Sequence, residues 1–225
     1  MKRYAEKAME NWYSGRHRKP LVLRGARQVG KSTLVRQFAS GHGLTLLEVN
    51  LERHRQLRRC FASMDVGLIL EELEVIVGRR IDAEGTLLFL DEIQEVPEAL
   101  SALRYFYEER PGLPVVTAGS LLEFALTRER MTMPVGRVTY MYLGPMSFAE
   151  FLEAVSPGLL PYCRRAALGE AVPGTAHLRL NRLVRQFLFV GGMPEAVAAF
   201  AEDGLAAVAE VQRALLETYE DDFAK

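Results

Sequence analysis

Short apolar runs alternate with longer amphipathic stretches along the first part of the chain, and after Met146 the short runs stop. Leu21–Arg24, LTLLEVN (44–50), TLLFLDEIQ (86–94), PVVTAGS (114–120) and TYMYLGP (139–145) read as strands. The first four are uninterrupted enough to predict strands covered on both faces, and the last alternates. Between them lie helical patterns. Residues 1–15 carry Tyr4, Met9 and Trp12 as packing residues and close at Gly15; others open at Thr33 and cover 66–79 and 97–110, each stopped by Gly or Pro. Strand-helix alternation of this kind predicts βαβ units and a mostly parallel sheet. From Met146 onward SFAEFLEAV, PYCRRAALG, HLRLNRLVRQFLFVG and PEAVAAFAEDGLAAVAEVQRALLETYEDD predict four or five helices, the first with a capping box of Ser147 and Glu150. The reading is therefore an α/β core over 1–145 and a helical subdomain over 146–225.

Composition narrows the class. With 225 residues, 49% hydrophobic and 25% charged, the chain is long enough for a large core and shows no bias towards disorder. No apolar run approaches the ~18–20 residues of a membrane span, and the charged, amphipathic start lacks a secretion-signal centre. The cytoplasm is the default expectation. Two distant cysteines (Cys60, Cys163) and four scattered histidines point to neither a disulfide framework nor a zinc site. The net charge of −1 hides an asymmetry, because residues 1–60 hold fourteen Lys/Arg against four Asp/Glu. Arg53-His54-Arg55-Gln56-Leu57-Arg58-Arg59, on a predicted short helix, could contact nucleic acid or form a solvated face paired with Glu71, Glu72 and Glu74. The first helix could cap an adenine pocket or cover a sheet edge.

The candidate chemistry starts at Gly25. Residues Gly25-Ala26-Arg27-Gln28-Val29-Gly30-Lys31-Ser32 fit G-x-x-x-x-G-K-[ST] between a strand and a helix that opens at Thr33. Glycines at both ends let successive amides turn inward around a phosphate at the positive end of that helix. Lys31 then reaches the β- and γ-phosphates, and the Ser32 hydroxyl ligates Mg²⁺. About 60 residues later the acidic pair Asp91-Glu92 arrives at the carboxyl end of a central strand, where open α/β sheets bind ligands. Asp91 suits the Mg²⁺ shell and Glu92 suits general-base activation of water. Thr117 and Ser120 lie at another strand end; of the two, Ser120 is the candidate for sensing the γ-phosphate or the lytic water. Arg137, after the polar segment LTRERMTMPVG, is a candidate for neutralising transition-state charge in its own chain or a neighbour's. No N-K-x-D guanine motif occurs, so ATP is preferred to GTP.

GARQVGKST, NLE at 50–52, LLFLDEIQEVP, TAGSLLEF, VGRVTYMYLGPMSFAEF and FLFVGGMPEAV, in that order, resemble the AAA-like P-loop ATPases of bacteria and archaea. The resemblance runs from about residue 17 to 225. It implies a three-layer sandwich of strand order 5-1-4-3-2 with a helical lid, and ATP binding and hydrolysis carried by Lys31, Ser32, Asp91 and Glu92. It also implies a further C-terminal domain after the point where this chain stops. The expected activity is Mg²⁺-dependent ATP hydrolysis coupled to movement of the helical subdomain. Rival readings are a nucleotide-gated protein-interaction switch with little turnover and a nucleic-acid-dependent motor. A homo-oligomer, or a protein or nucleic-acid partner, remains open, and no membrane partner is expected.

Overall fold

The computed structural model describes residues 1–82, 85–120, 134 and 136–223, so the expected segment LTRERMTM (126–133) lies outside the described residues. The chain divides into two compact units, one of Ala5–Leu143 and the other of Met1–Tyr4 with Gly144–Lys225.

In the first unit the order is α1 (Ala5–Tyr13), β1 (Leu21–Arg24), α2 (Lys31–Gly41), β2 (Thr45–Asn50), α3 (Arg58–Ala62), α4 (Val66–Val77), β3 (Thr86–Asp91), α5 (Pro97–Glu109), β4 (Val115–Ala118) and β5 (Thr139–Tyr142). Among the described residues the five strands form one parallel sheet in the order β2-β3-β4-β1-β5, which is the order the resemblance implies. Strand residues alternate between two cores, as period-2 geometry requires. Val22, Leu88, Leu90 and Val115 face the layer of α3, α4 and α5, where Phe61, Ile69 and Phe106 pack. Leu21, Leu23, Leu87, Phe89 and Val116 face α1 and α2, against Met9, Trp12, Val35 and Phe38. The result is a three-layer α/β/α sandwich.

The first helix covers that second face. Met9 and Trp12 are buried, with the Trp12 indole donating to the Lys19 carbonyl at 2.7 Å, while Tyr4 precedes the helix and is exposed. β1, β3 and β4 are buried throughout except for Arg24, but β2 departs from the expectation of a fully covered strand. It sits at the sheet edge with alternate residues partly open, because an apolar run does not by itself say whether a strand has one neighbour or two. At the other edge β5 turns Tyr140 and Tyr142 outward, and Arg24 lies 4.3 Å from the Tyr140 ring centroid.

The arginine run also differs in its partners. Arg55 pairs with Glu95 and Arg58 with Glu98, each at 2.7 Å, rather than with Glu71, Glu72 or Glu74. These arginines neutralise the acidic turn that follows β3.

The second unit contains α6 (Phe148–Val155), α7 (Leu160–Ala167), α8 (Gly174–Val190), α9 (Pro194–Asp203) and α10 (Leu205–Phe223). Ser147 and Glu150 form the expected capping box. Glu150 also accepts from the Arg3 guanidinium at 3.0 Å and the Tyr4 amide at 2.8 Å, a buried pair 147 residues apart. Phe151 stacks against Phe148 and Phe200 and meets Phe187 at a tilt of 49°. Gly192 is required by its neighbours: its carbonyl accepts the Met146 amide at 2.6 Å, and a side chain there would strike the Met146 backbone. No helix of the described residues is long and apolar enough to cross a membrane.

Candidate functional site

All five strands run the same way, so their ends define one edge from which the loops after β1, β3 and β4 emerge together. Register aligns Leu23 of β1 with Ala118 of β4, and Leu90 of β3 with Thr117, so the three strands finish level.

The loop after β1 turns back on itself through left-handed residues at Gln28 (φ 61°) and Gly30 (φ 94°), with Gly25 at φ 147°. A Cβ on Gly25 would run into the Leu143 carbonyl, so only glycine lets the loop leave β1 so close to β5. Gly30 is the N-cap of α2 and supplies no side-chain hydrogen bond to the first turn of the helix. Val29 is buried and fastens the loop to the core. Lys31 and Ser32 open α2 and Thr33 follows; Gly25, Ala26, Arg27, Gln28, Val29 and Gly30 form the turn itself.

The Lys31 ammonium lies inside that turn, donating to the Gly25 and Ala26 carbonyls at 2.9 and 2.8 Å. It is 7% exposed, and burial lowers its pKa from the usual lysine value against the opposing charges of Glu92 and Asp91; Arg27 lowers it further. Ser32 Oγ donates to Asp91 Oδ2 at 2.8 Å. Asp91 is as buried as Lys31, and that burial raises its pKa despite the Ser32 hydrogen bond, with Glu92 raising it too. Thus the cation of one motif and the acid of the other, far apart in sequence, share one desolvated pocket of charge.

Glu92 leaves the strand in a left-handed conformation, φ 50° and ψ 49°, uncommon for a residue with a side chain and typical of functional sites. Its Oε2 accepts from Gln94 Nε2 at 2.7 Å, from Ser120 Oγ at 3.3 Å and from the Ser120 amide at 3.4 Å. Ser120, just past β4, therefore stands at the carboxyl edge beside the acid. Thr117 does not: it is fully buried within β4 and its hydroxyl lies 3.5 Å from the Leu21 carbonyl. Gln94 was legible only as part of the DEIQ string, and nothing in its residue type signalled the contact.

Arg137 requires a correction. The sequence reading sets it beside the carboxyl edge, whereas the structure sets it at the amino edge, two positions before a strand whose Thr139 pairs with Leu21 at the start of β1. Its Nε donates to Glu108 Oε1 at 2.9 Å near the end of α5. In a parallel sheet a residue just before a strand is separated from the phosphate-loop edge by a strand length, about 13 Å for four residues.

A family model described as "AAA domain" matches residues 17–152. Among solved structures the chain is similar to the Walker-type ATPase PABY2304 of Pyrococcus abyssi, with 18% identity and a TM-score of 0.55 over 97% of this chain and 74% of that one. It is also similar to PCH-2 of C. elegans (12% identity, TM-score 0.44, 97% of this chain and 64% of that one). A third is ORC2 of Aeropyrum pernix, solved as ADPNP-ADP complexes (19% identity, TM-score 0.40, 65% of this chain and 47% of that one). The chain thus spans about three quarters of the first of these proteins and less than two thirds of the other two. At 18% identity the likeness to the first of these speaks to the fold alone.

Proposed function

The chain belongs to the AAA-domain family through residues 17–152, and on that premise we propose that it is a Mg²⁺-dependent ATPase whose loop Gly25–Ser32 holds the triphosphate. The observation that carries this reading is the 2.8 Å contact between Ser32 Oγ and Asp91 Oδ2. It joins two hard oxygen donors of the kind Mg²⁺ takes when substrate phosphates and waters supply the rest of its shell. Bound there, the metal would neutralise charge on the β- and γ-oxygens.

The protein's own groups account for the other requirements. Lys31 and the loop amides stabilise negative charge on the phosphates. Glu92 takes a proton from water as the water oxygen bonds to the γ-phosphorus; the bond from that phosphorus to the β–γ bridging oxygen breaks, and ADP departs with the electron pair. Ser120, already hydrogen-bonded to Glu92, is suited to report the γ-phosphate to the base. Arg137 lies at the amino edge, paired with Glu108, so a catalytic role for it would be toward a neighbouring copy's triphosphate, and otherwise it is a surface anchor. The sequence division of 1–145 as core and 146–225 as helical subdomain shifts to Ala5–Leu143 and Met1–Tyr4 with Gly144–Lys225, and the nucleotide state is proposed to drive movement of the second part.

The test is equilibrium ATP binding and steady-state hydrolysis in Mg²⁺. Lys31→Ala should abolish binding, and Glu92→Gln should bind ATP but lose turnover. Parental protein that binds ATP and releases no phosphate would favour the nucleotide-gated switch instead. The nucleic-acid motor draws less support, since Arg55 and Arg58 are engaged by Glu95 and Glu98.

A further inference from the structure

Three donors converge on one oxygen of Glu92. Gln94 Nε2 at 2.7 Å is the shortest of them, with the Ser120 hydroxyl and amide behind it, and among the described residues none reaches the other oxygen, Oε1. A carboxylate only accepts, so the amide nitrogen of Gln94 must be the atom that faces it. That orientation turns Gln94 Oε1 away into a place sealed from solvent, where it meets no donor among the described residues.

The turn carrying Gln94 is rigid for reasons outside the site. Ile93 and Val96 on either side are fully buried in the core under α5, and the Glu95 and Val96 amides close the 3₁₀ turn onto the Glu92 and Ile93 carbonyls at 3.0 and 3.1 Å. With Glu92 in the left-handed region, the acid and the residue two positions on point the same way and meet side chain to side chain. A stabilising polar residue would not leave its carbonyl buried without a partner. The arrangement costs stability and holds one carboxylate still.

We propose that Gln94 is a positioning residue for the general base: its carboxamide clamps Glu92 by Oε2, fixes the plane of the carboxylate and leaves Oε1 to take the proton of the attacking water. This rests on the ATPase reading above. In this role Gln94 acts through Glu92, so its loss lowers the rate of the chemical step and leaves nucleotide affinity untouched.

The experiment compares the parental protein with Gln94→Met, Gln94→Glu, Glu92→Gln and the double variant Glu92→Gln/Gln94→Met, reading kcat, KM, ATP affinity and the thermal midpoint. Methionine keeps the length and volume of glutamine and removes the donor. Gln94→Met should lose kcat about 10- to 100-fold, keep ATP affinity within about twofold and show no fall in thermal midpoint, which a merely structural role would produce. Gln94→Glu, bringing a like charge against Glu92, should lose more. The double variant should be no slower than Glu92→Gln, because a residue that acts only through Glu92 has nothing left to position. Parental kcat in Gln94→Met, a change confined to KM, or losses that add in the double variant would each overturn the proposal while the ATPase reading stands. A parental protein without turnover would remove that reading and the base with it.

Discussion

Ser32 Oγ and Asp91 Oδ2 are 2.8 Å apart although 59 residues separate them in the chain. The contact exists because β1 and β3 both point at the same edge with β4 between them, and because α2 starts directly over that edge. If the pair is a metal site, Asp91→Asn and Ser32→Ala should bring ATP affinity in Mg²⁺ down to the value the parental protein has in EDTA. Titration calorimetry with and without Mg²⁺ checks this; a variant whose affinity still rises on adding Mg²⁺ would assign the metal elsewhere.

Gly25→Ala should damage fold and site together. The new methyl group would have to enter the Leu143 carbonyl at a backbone angle that alanine rarely adopts, a cost of about 3 kcal/mol from overpacking and strain. For a chain of this size that lowers Tm by roughly 6–12 °C. Gly43→Ala is the control: it also has positive φ (64°) but nothing within 4 Å of the added atom, so it should cost only about 1 kcal/mol. Equal Tm values for the two variants would refute the close approach as the reason for glycine at 25.

Most of the fold was legible because it is written in local signals. TLLFLD is apolar on both faces and became the strand buried on both faces; the glycine and proline breaks ended helices where expected. The two acidic and basic motifs could be paired because each has a position relative to a strand end, and strand ends in a parallel sheet are shared. What stayed hidden depends on tertiary placement. The edge position of β2, the Arg3–Glu150 pair and the Gln94 contact involve partners that no spacing rule connects. Arg137 was misplaced for a related reason: its glycine-flanked position marks a loop, and a loop signal does not say which edge of the sheet the loop serves.

Arg137→Ala should leave ATP affinity unchanged. Its described contact is an exposed ion pair with Glu108, which Arg104 also approaches at 3.1 Å, so the variant should melt within error of the parental protein. Measured on dilute protein, an affinity loss above threefold would mean that Arg137 does reach its own site. If it works on a neighbour, the variant should lose only that part of the turnover which grows with protein concentration.

Acid should destabilise the helical unit through the buried Glu150. Burial alone would raise the pKa of this residue, but hydrogen bonds from the Ser147 and Tyr4 amides, the Arg3 guanidinium and the Ser147 hydroxyl outweigh burial and hold it below its usual 4.5. A carboxylate with a depressed folded pKa contributes stability that is complete above its unfolded value and is lost as pH falls through the folded one. The loss therefore begins near pH 4.5 and deepens below it. Glu150→Gln should have a flatter Tm-versus-pH profile across that window, and Glu150→Ala, which removes the capping box and strands Arg3, should cost about 3 kcal/mol at neutral pH. Thermal melts of the parental protein and both variants between pH 3 and pH 7 decide the matter: parallel profiles for parent and Glu150→Gln would show that the buried pair is not the acid-sensitive element, whatever its geometry.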